Sequence, residues 1–170
     1  MSSYFKKPEP IHVAITVTRS NVMDEVVGIL NKIAEARFDG QNTAYVNSLQ
    51  PEIDFEQDRT IVYGLFEDGI GNIVRRIEPY VDSCGDNASS GATYNLSLIF
   101  PENWKSQMED ALKKKISEYL VNYIIAGWVE KVSLNDTAYS QDKAAAILRS
   151  IKGLCEMRQG KVHKTWNAPY

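Results

Sequence analysis

The chain has 170 residues, 44% of them hydrophobic, which suffices for one core of ordinary domain size and not for two. Its 19 basic and 22 acidic side chains leave a formal charge of -3, without the basic excess of a typical nucleic-acid-binding domain. Cys84 and Cys155 stand far apart with no Cys or His at ligand spacing, which excludes the usual clustered zinc patterns and fits a reduced, intracellular setting.

The start, Met1 to Pro10, is polar and proline-bearing and lacks the apolar run of a secretory signal. Pro8 and Pro10 each remove a backbone donor, so the segment reads as an extended arm. Ile11, Val13, Ile15 and Val17 then alternate with His12, Ala14 and Thr16, which predicts a strand. Thr18 or Ser20 can cap a first helix running to about Arg37, with Val22, Val26, Ile29, Leu30 and Ile33 on one face and Gly40 beyond its end. Gln41 to Pro51 has no period and reads as a loop.

The strongest helical pattern runs from Arg59 to Val81, where Ile61, Val62, Leu65, Phe66, Ile70, Ile73, Val74 and Ile77 form one apolar face. Asp54 is the expected cap, with Glu56 and Asp58 at the positive end of the helix dipole and Arg75 and Arg76 at the negative end. Gly64, Gly69 and Gly71 each cost roughly 1 kcal/mol relative to alanine, so tertiary burial must hold this helix. Asp82 to Gly91 reads as a hydrophilic connector. Thr93 to Phe100 resumes period two and is the natural partner of the first strand. Pro101 is expected to open a third helix. Its apolar positions from Trp104 to Trp128 sweep too wide an arc for one contact, so its second half should be covered from two sides. After Ser133 to Asp136, a fourth helix carries Ala144, Ile147, Leu148, Ile151, Leu154 and Cys155.

The expected fold is therefore mainly α: a four-helix domain with a small two-stranded β element and extended N- and C-terminal arms. Residues 1–18 form the arm and strand, 19–158 the helical domain and 159–170 the tail. The longest apolar stretch, Tyr119 to Val129, is interrupted by Asn122 and is far short of the roughly 20 residues that span a bilayer. No membrane partner is expected, and synthesis in the cytoplasm is.

The residues that carry chemistry elsewhere are scattered here. His12 and His163 lack partners at ligand spacing, and the glycines of the second helix do not sit between a strand and a helix, where a phosphate loop requires them. The alternating acids Glu52, Asp54, Glu56 and Asp58 lack the glycine and terminal glutamate of a calcium loop. No catalytic, cofactor-binding or metal-binding residue is predicted, and no enzyme. Lys113, Lys114 and Lys115 are the one basic run; on a helix they fan around the axis, so at most two share a face. Lining a DNA channel, they would act through charge alone. Tyr4, Phe5, Trp166 and Tyr170 are large aromatics in aperiodic tails, placed to anchor on neighbouring proteins. The strand bearing Ile11, Val13 and Ile15 is a candidate for pairing across subunits.

Three segments carry a resemblance. The helix start Asp54-Phe-Glu-Gln-Asp-Arg-Thr60, the strand Thr93-Tyr-Asn-Leu-Ser-Leu98 and the helix end Tyr119-Leu-Val-Asn-Tyr-Ile-Ile-Ala-Gly-Trp128 resemble small virion-gene products of Bacteroidetes phages and prophages, over about Val17 to Arg158. More distantly the layout is similar to the head-tail connector, or adaptor, family of tailed phages. In that family an acidic helix, a loop, a helix with a Trp or Tyr near its end and a short final helix follow one another. The N-terminal arm and strand and the longer second helix depart from its pattern. The resemblance implies a structural protein of the virion head-tail junction, forming a homo-oligomeric ring, a dodecamer by that resemblance, that contacts the portal and tail proteins while DNA passes without sequence-specific contacts. The alternatives are another tail-completion or stopper ring, or a small cytoplasmic nucleic-acid-binding regulator acting through Lys113 to Lys115 and Arg75 or Arg76.

Overall fold

Alternating β-branched residues make β1, Ile11–Thr18, and the chain turns from it directly into α1, Arg19–Arg37. The computed structural model describes residues 9–86, 92–132 and 137–159. The remaining elements are α2 (Thr43–Ser48), α3 (Glu56–Arg76), β2 (Val81–Asp86), β3 (Thr93–Phe100), α4 (Glu109–Val132) and α5 (Thr137–Glu156). Among the described residues the protein is mainly helical, with five helices on one antiparallel sheet of order β1-β3-β2.

β3 is the centre of that sheet. Ile11 lies opposite Phe100 and Thr18 opposite Thr93, so the predicted pairing of the two regular strands is present along their whole length. Val13, Ile15, Val17, Leu96, Leu98 and Phe100 turn inward, while His12, Ala14 and Thr16 face solvent. The sheet has three strands rather than two, because part of the expected connector, Val81–Asp86, pairs with the other edge of β3. Asp82, Ser83, Cys84 and Gly85 are all exposed. Alternation reports side-chain burial, and a strand held by backbone hydrogen bonds alone leaves no such trace.

α4 runs through the middle of the helical layer and touches α1, α3 and α5. Leu112, Ile116, Leu120 and Ile124 are buried along one side, and Val121, Ile125 and Val129 along others, which is the coverage from two sides that its wide apolar arc predicted. Gly69 of α3 and Gly127 of α4 allow the close crossing of these two helices. A Cβ at Gly69 would lie 2.8 Å from Leu120 Cδ2, and one at Gly127 would lie 2.4 Å from Leu65 Cδ2. Only Gly69 of the three α3 glycines is needed for this approach; Gly64 and Gly71 face open space.

Three boundaries differ from expectation. A fifth helix, α2, occupies part of the predicted loop at 41–51; its Val46 joins Leu49 and Ala34 in a small satellite core. Six residues are too few to display a helical period. The Asp54 cap is replaced by Phe55, which makes no side-chain cap bond, while the Asp58 carboxylate accepts the Glu52 amide at 2.9 Å. The third long helix starts at Glu109, eight residues after Pro101. The reason is tertiary: the Asn103 carbonyl accepts from the Gln159 amide at 2.7 Å, and Trp104 forms a bridge with Arg158. Backbone groups committed to the chain after α5 are not free to form a helical turn. The same contacts, with Ile11 opposite Phe100, place both ends of the described body at one pole.

Candidate interaction surfaces

The pole where both ends meet is closed by aromatic packing. Trp104 stacks on Phe100 with ring centroids 4.0 Å apart, Tyr80 packs on the same Phe100 at 5.2 Å, and the Arg158 guanidinium lies over Tyr80. The Trp104 indole N–H donates to the Leu154 carbonyl at 3.0 Å, tying the end of α5 to the approach of α4. At the opposite pole the Trp128 indole N–H donates to the Leu49 carbonyl at 3.0 Å and fixes the short α2 segment against α4. There the closure is incomplete: Phe38, just after α1, is 53% exposed and Phe55, just before α3, is 64% exposed. Sequence reasoning missed this pair. The available signal was that each is a large aromatic standing outside the apolar stripe of the adjacent helix.

Several predicted contact residues have other duties. Val13 and Ile15 are 3% and 2% exposed and Ile11 is partly buried, so their side chains belong to the core of their own chain and are not available to a neighbour. What β1 still offers is its outer backbone edge, since it ends the sheet. Residues 11–18 are the expected strand and pair with β3 along their whole length. Tyr4, Phe5, Trp166 and Tyr170 lie outside the described residues.

The basic run is largely neutralised within its own helix. Lys113 Nζ lies 2.6 Å from Glu109 Oε1, and Lys115 Nζ 2.7 Å from Glu118 Oε2. The hydrogen bond from Lys113 to Glu109 holds the ammonium pKa above its ordinary value. Lys114 borders a shallow depression with Lys143, Glu25 and Glu118, where both signs of charge meet.

A polar cluster ties α1, α3 and β3 together. The Arg19 guanidinium sits 3.9 Å above the Tyr63 ring and 4.0 Å from the Glu67 carboxylate, and the Tyr94 hydroxyl donates to the same Glu67. Partial burial, with the Glu67 charge nearby, pushes the Cys84 thiol up. Burial does the same more strongly to Cys155, whose pKa rises to about 12. Neither thiol is activated toward nucleophilic attack. Among the described residues no three His, Cys, Asp or Glu side chains gather in a metal-binding group.

A groove of about 480 Å³ lies between α3, α4 and α5. Small residues, Gly127, Ala144 and Ala145, line it together with Leu65, Tyr123 and Leu148. Tyr119 and Tyr123 are 5.6 Å apart and stack beside it. Burial raises the pKa of the Tyr119 phenol, and a hydrogen bond with Asn72 partly offsets the shift. Glu130 is the one charged residue on the lining among the described residues.

Compared with protein-family models, with curated proteins and with solved structures, the chain matches none.

Proposed function

We propose that the protein is a structural subunit of a tailed-phage virion, a head-tail connector or adaptor that assembles head to tail into a ring between portal and tail. The observation that carries this reading is the polarity of the body. One pole is sealed by Tyr80, Phe100, Trp104 and Arg158 and emits both chain ends, whereas the other presents Phe38 and Phe55 to solvent. A closed ring with heterologous contacts needs two different complementary surfaces on every copy, and a molecule with unlike poles supplies them. Exposed aromatics are the residue type that anchors such interfaces. The element order supports the reading too: acidic-started α3, then α4 with Trp128 near its end, then α5, as the sequence resemblance implies. In this reading the arm bearing Tyr4 and Phe5 and the free edge of β1 reach a neighbour, and Lys114 is the least neutralised lysine of the basic run toward passing DNA.

The test is the mass of the purified protein by light scattering, alone and with the portal protein of the same phage, together with its copy number in particles. A cyclic assembly and a fixed ring-sized copy number per particle are expected; absence from mature particles overturns the proposal. No specific observation favours the regulator reading, because two of its three lysines already carry carboxylate partners.

A further inference from the structure

We infer that the open pole of one copy docks on the sealed pole of the next, with the Phe55 ring seated on Met157 and the Asp54 and Glu56 carboxylates facing Lys105 and Arg158. The inference rests on the head-to-tail reading above and names its two faces, but it needs neither a closed ring nor a virion.

Among the described residues three large apolar side chains are left in water, and they divide between the poles: Phe38 and Phe55 at one, Met157, 42% exposed, at the other. Met157 belongs to the Trp104 closure, since its carbonyl accepts from the Lys105 amide at 3.4 Å and from the Arg158 guanidinium at 3.2 Å. The length of α3 separates the two patches. That helix starts directly after Phe55, and the chain beyond its far end leads to Tyr80, whose hydroxyl accepts from Arg158 at 3.2 Å. Its 21 residues span about 30 Å at the helical rise, so a copy cannot bring its own Phe55 to its own Met157. The two meet only between copies, where a flexible thioether packs well on an aromatic ring.

The rims of the two patches carry opposite charge. From Phe38 to Asp58 the charged residues are Asp39, Glu52, Asp54, Glu56 and Asp58, with no lysine or arginine. Glu52, Asp54 and Glu56 are exposed, and their carboxylates have no cation partner among the described residues, unlike Glu109, Glu118 and Glu156, each paired with a lysine of its own helix. Around Met157, residues 101–108 and 157–159 carry Lys105 and Arg158 against Glu102 alone. Arg158 donates only to neutral oxygens, those of Cys155, Met157 and Tyr80, and keeps its charge for a neighbour. An aromatic within a negative rim therefore faces a thioether within a positive one, and like poles repel, which selects head-to-tail contact over a symmetric pair.

The test uses the full-length protein and light scattering over a concentration series. Self-association is expected, and Phe55→Ser and Met157→Glu, both at exposed positions, should each weaken it about tenfold or more. An equimolar mixture of the two variants retains one intact contact, Phe55 of the Met157→Glu copy on Met157 of the Phe55→Ser copy, and should stop at the mass of a pair. Thermal melts establish that both variants remain folded. An unaltered chain that is monomeric at every soluble concentration overturns the inference, as do variants that associate like the unaltered chain and a mixture that stays monomeric or grows beyond a pair. Unimpaired variants beside a ring-sized copy number in particles would remove this contact and leave the ring; a paired mixture with the protein absent from particles would do the reverse.

Discussion

The two poles of the body use one device to different ends. At each, an indole N–H donates to a carbonyl distant in sequence, Trp104 to Leu154 and Trp128 to Leu49. Around Trp104 the aromatic neighbours are recruited, Phe100 beneath it and Tyr80 beyond with Arg158 over it, while Met157 alongside is 42% exposed. Beside Trp128, itself part of the main core, Ala34, Val46 and Leu49 form a small satellite core, and Phe38 and Phe55 are left outside. A pole that spends its aromatics on its own closure offers a neighbour a preformed, rigid surface, and one that keeps two of them in water carries the surplus apolar area that association uses.

Substitutions can break this contrast in graded steps. The largest effect is expected at the sealed pole. Trp104→Ala should cost about 3 to 5 kcal/mol in urea unfolding, because it empties a fully buried site and frees the end of α5. Trp128→Phe keeps a ring in place but strands the Leu49 carbonyl. A loss of about 1 to 3 kcal/mol is expected, with faster amide exchange confined to α2 and its flanks. A loss spread evenly over the whole body would mean that α2 is not a separately tethered piece.

Gly127→Ala tests the helix crossing that joins the poles. Its new methyl meets Leu65, and a cost of about 1 to 3 kcal/mol is expected, reduced when Leu65→Ala is added. pH offers a probe without mutation near the sealed pole. The Cys155 thiol ionises at about 12 when folded and near its ordinary 9.0 when unfolded. Between those values the unfolded chain gives up the proton and the folded chain keeps it, so stability should fall as pH rises through that window and be unaffected below it. Cys155→Ser should flatten the fall. The smallest effect on stability is expected at the open pole: Phe38→Ser and Phe55→Ser should each shift unfolding by no more than about 0.5 kcal/mol. The same changes should weaken assembly with the portal; unchanged assembly would remove the open pole from the interface.

Much of the body was readable because its signals are local and periodic. The apolar stripes of α1, α3 and α5, the alternation of β1 and β3 and the wide buried arc of α4 follow directly from residue order. The elements that were missed are those that burial does not mark: β2, whose exposed polar residues are held by the backbone of β3, and α2, only six residues long. The start of α4 was misplaced because Pro101 is a favourable first helical residue, yet Asn103 and Trp104 are claimed by the chain after α5.

The sequence by itself determined the class of the protein, a helical layer on a short sheet, since the spacing of apolar residues fixes which face of each element leaves water. Only the tertiary structure decided which residues remain for other partners. Val13 and Ile15 are consumed by the core, Lys113 and Lys115 by carboxylates a turn away, and Phe38 and Phe55 are left over. Whether a side chain is spent or spare depends on neighbours brought together from distant parts of the chain, and no local pattern records them.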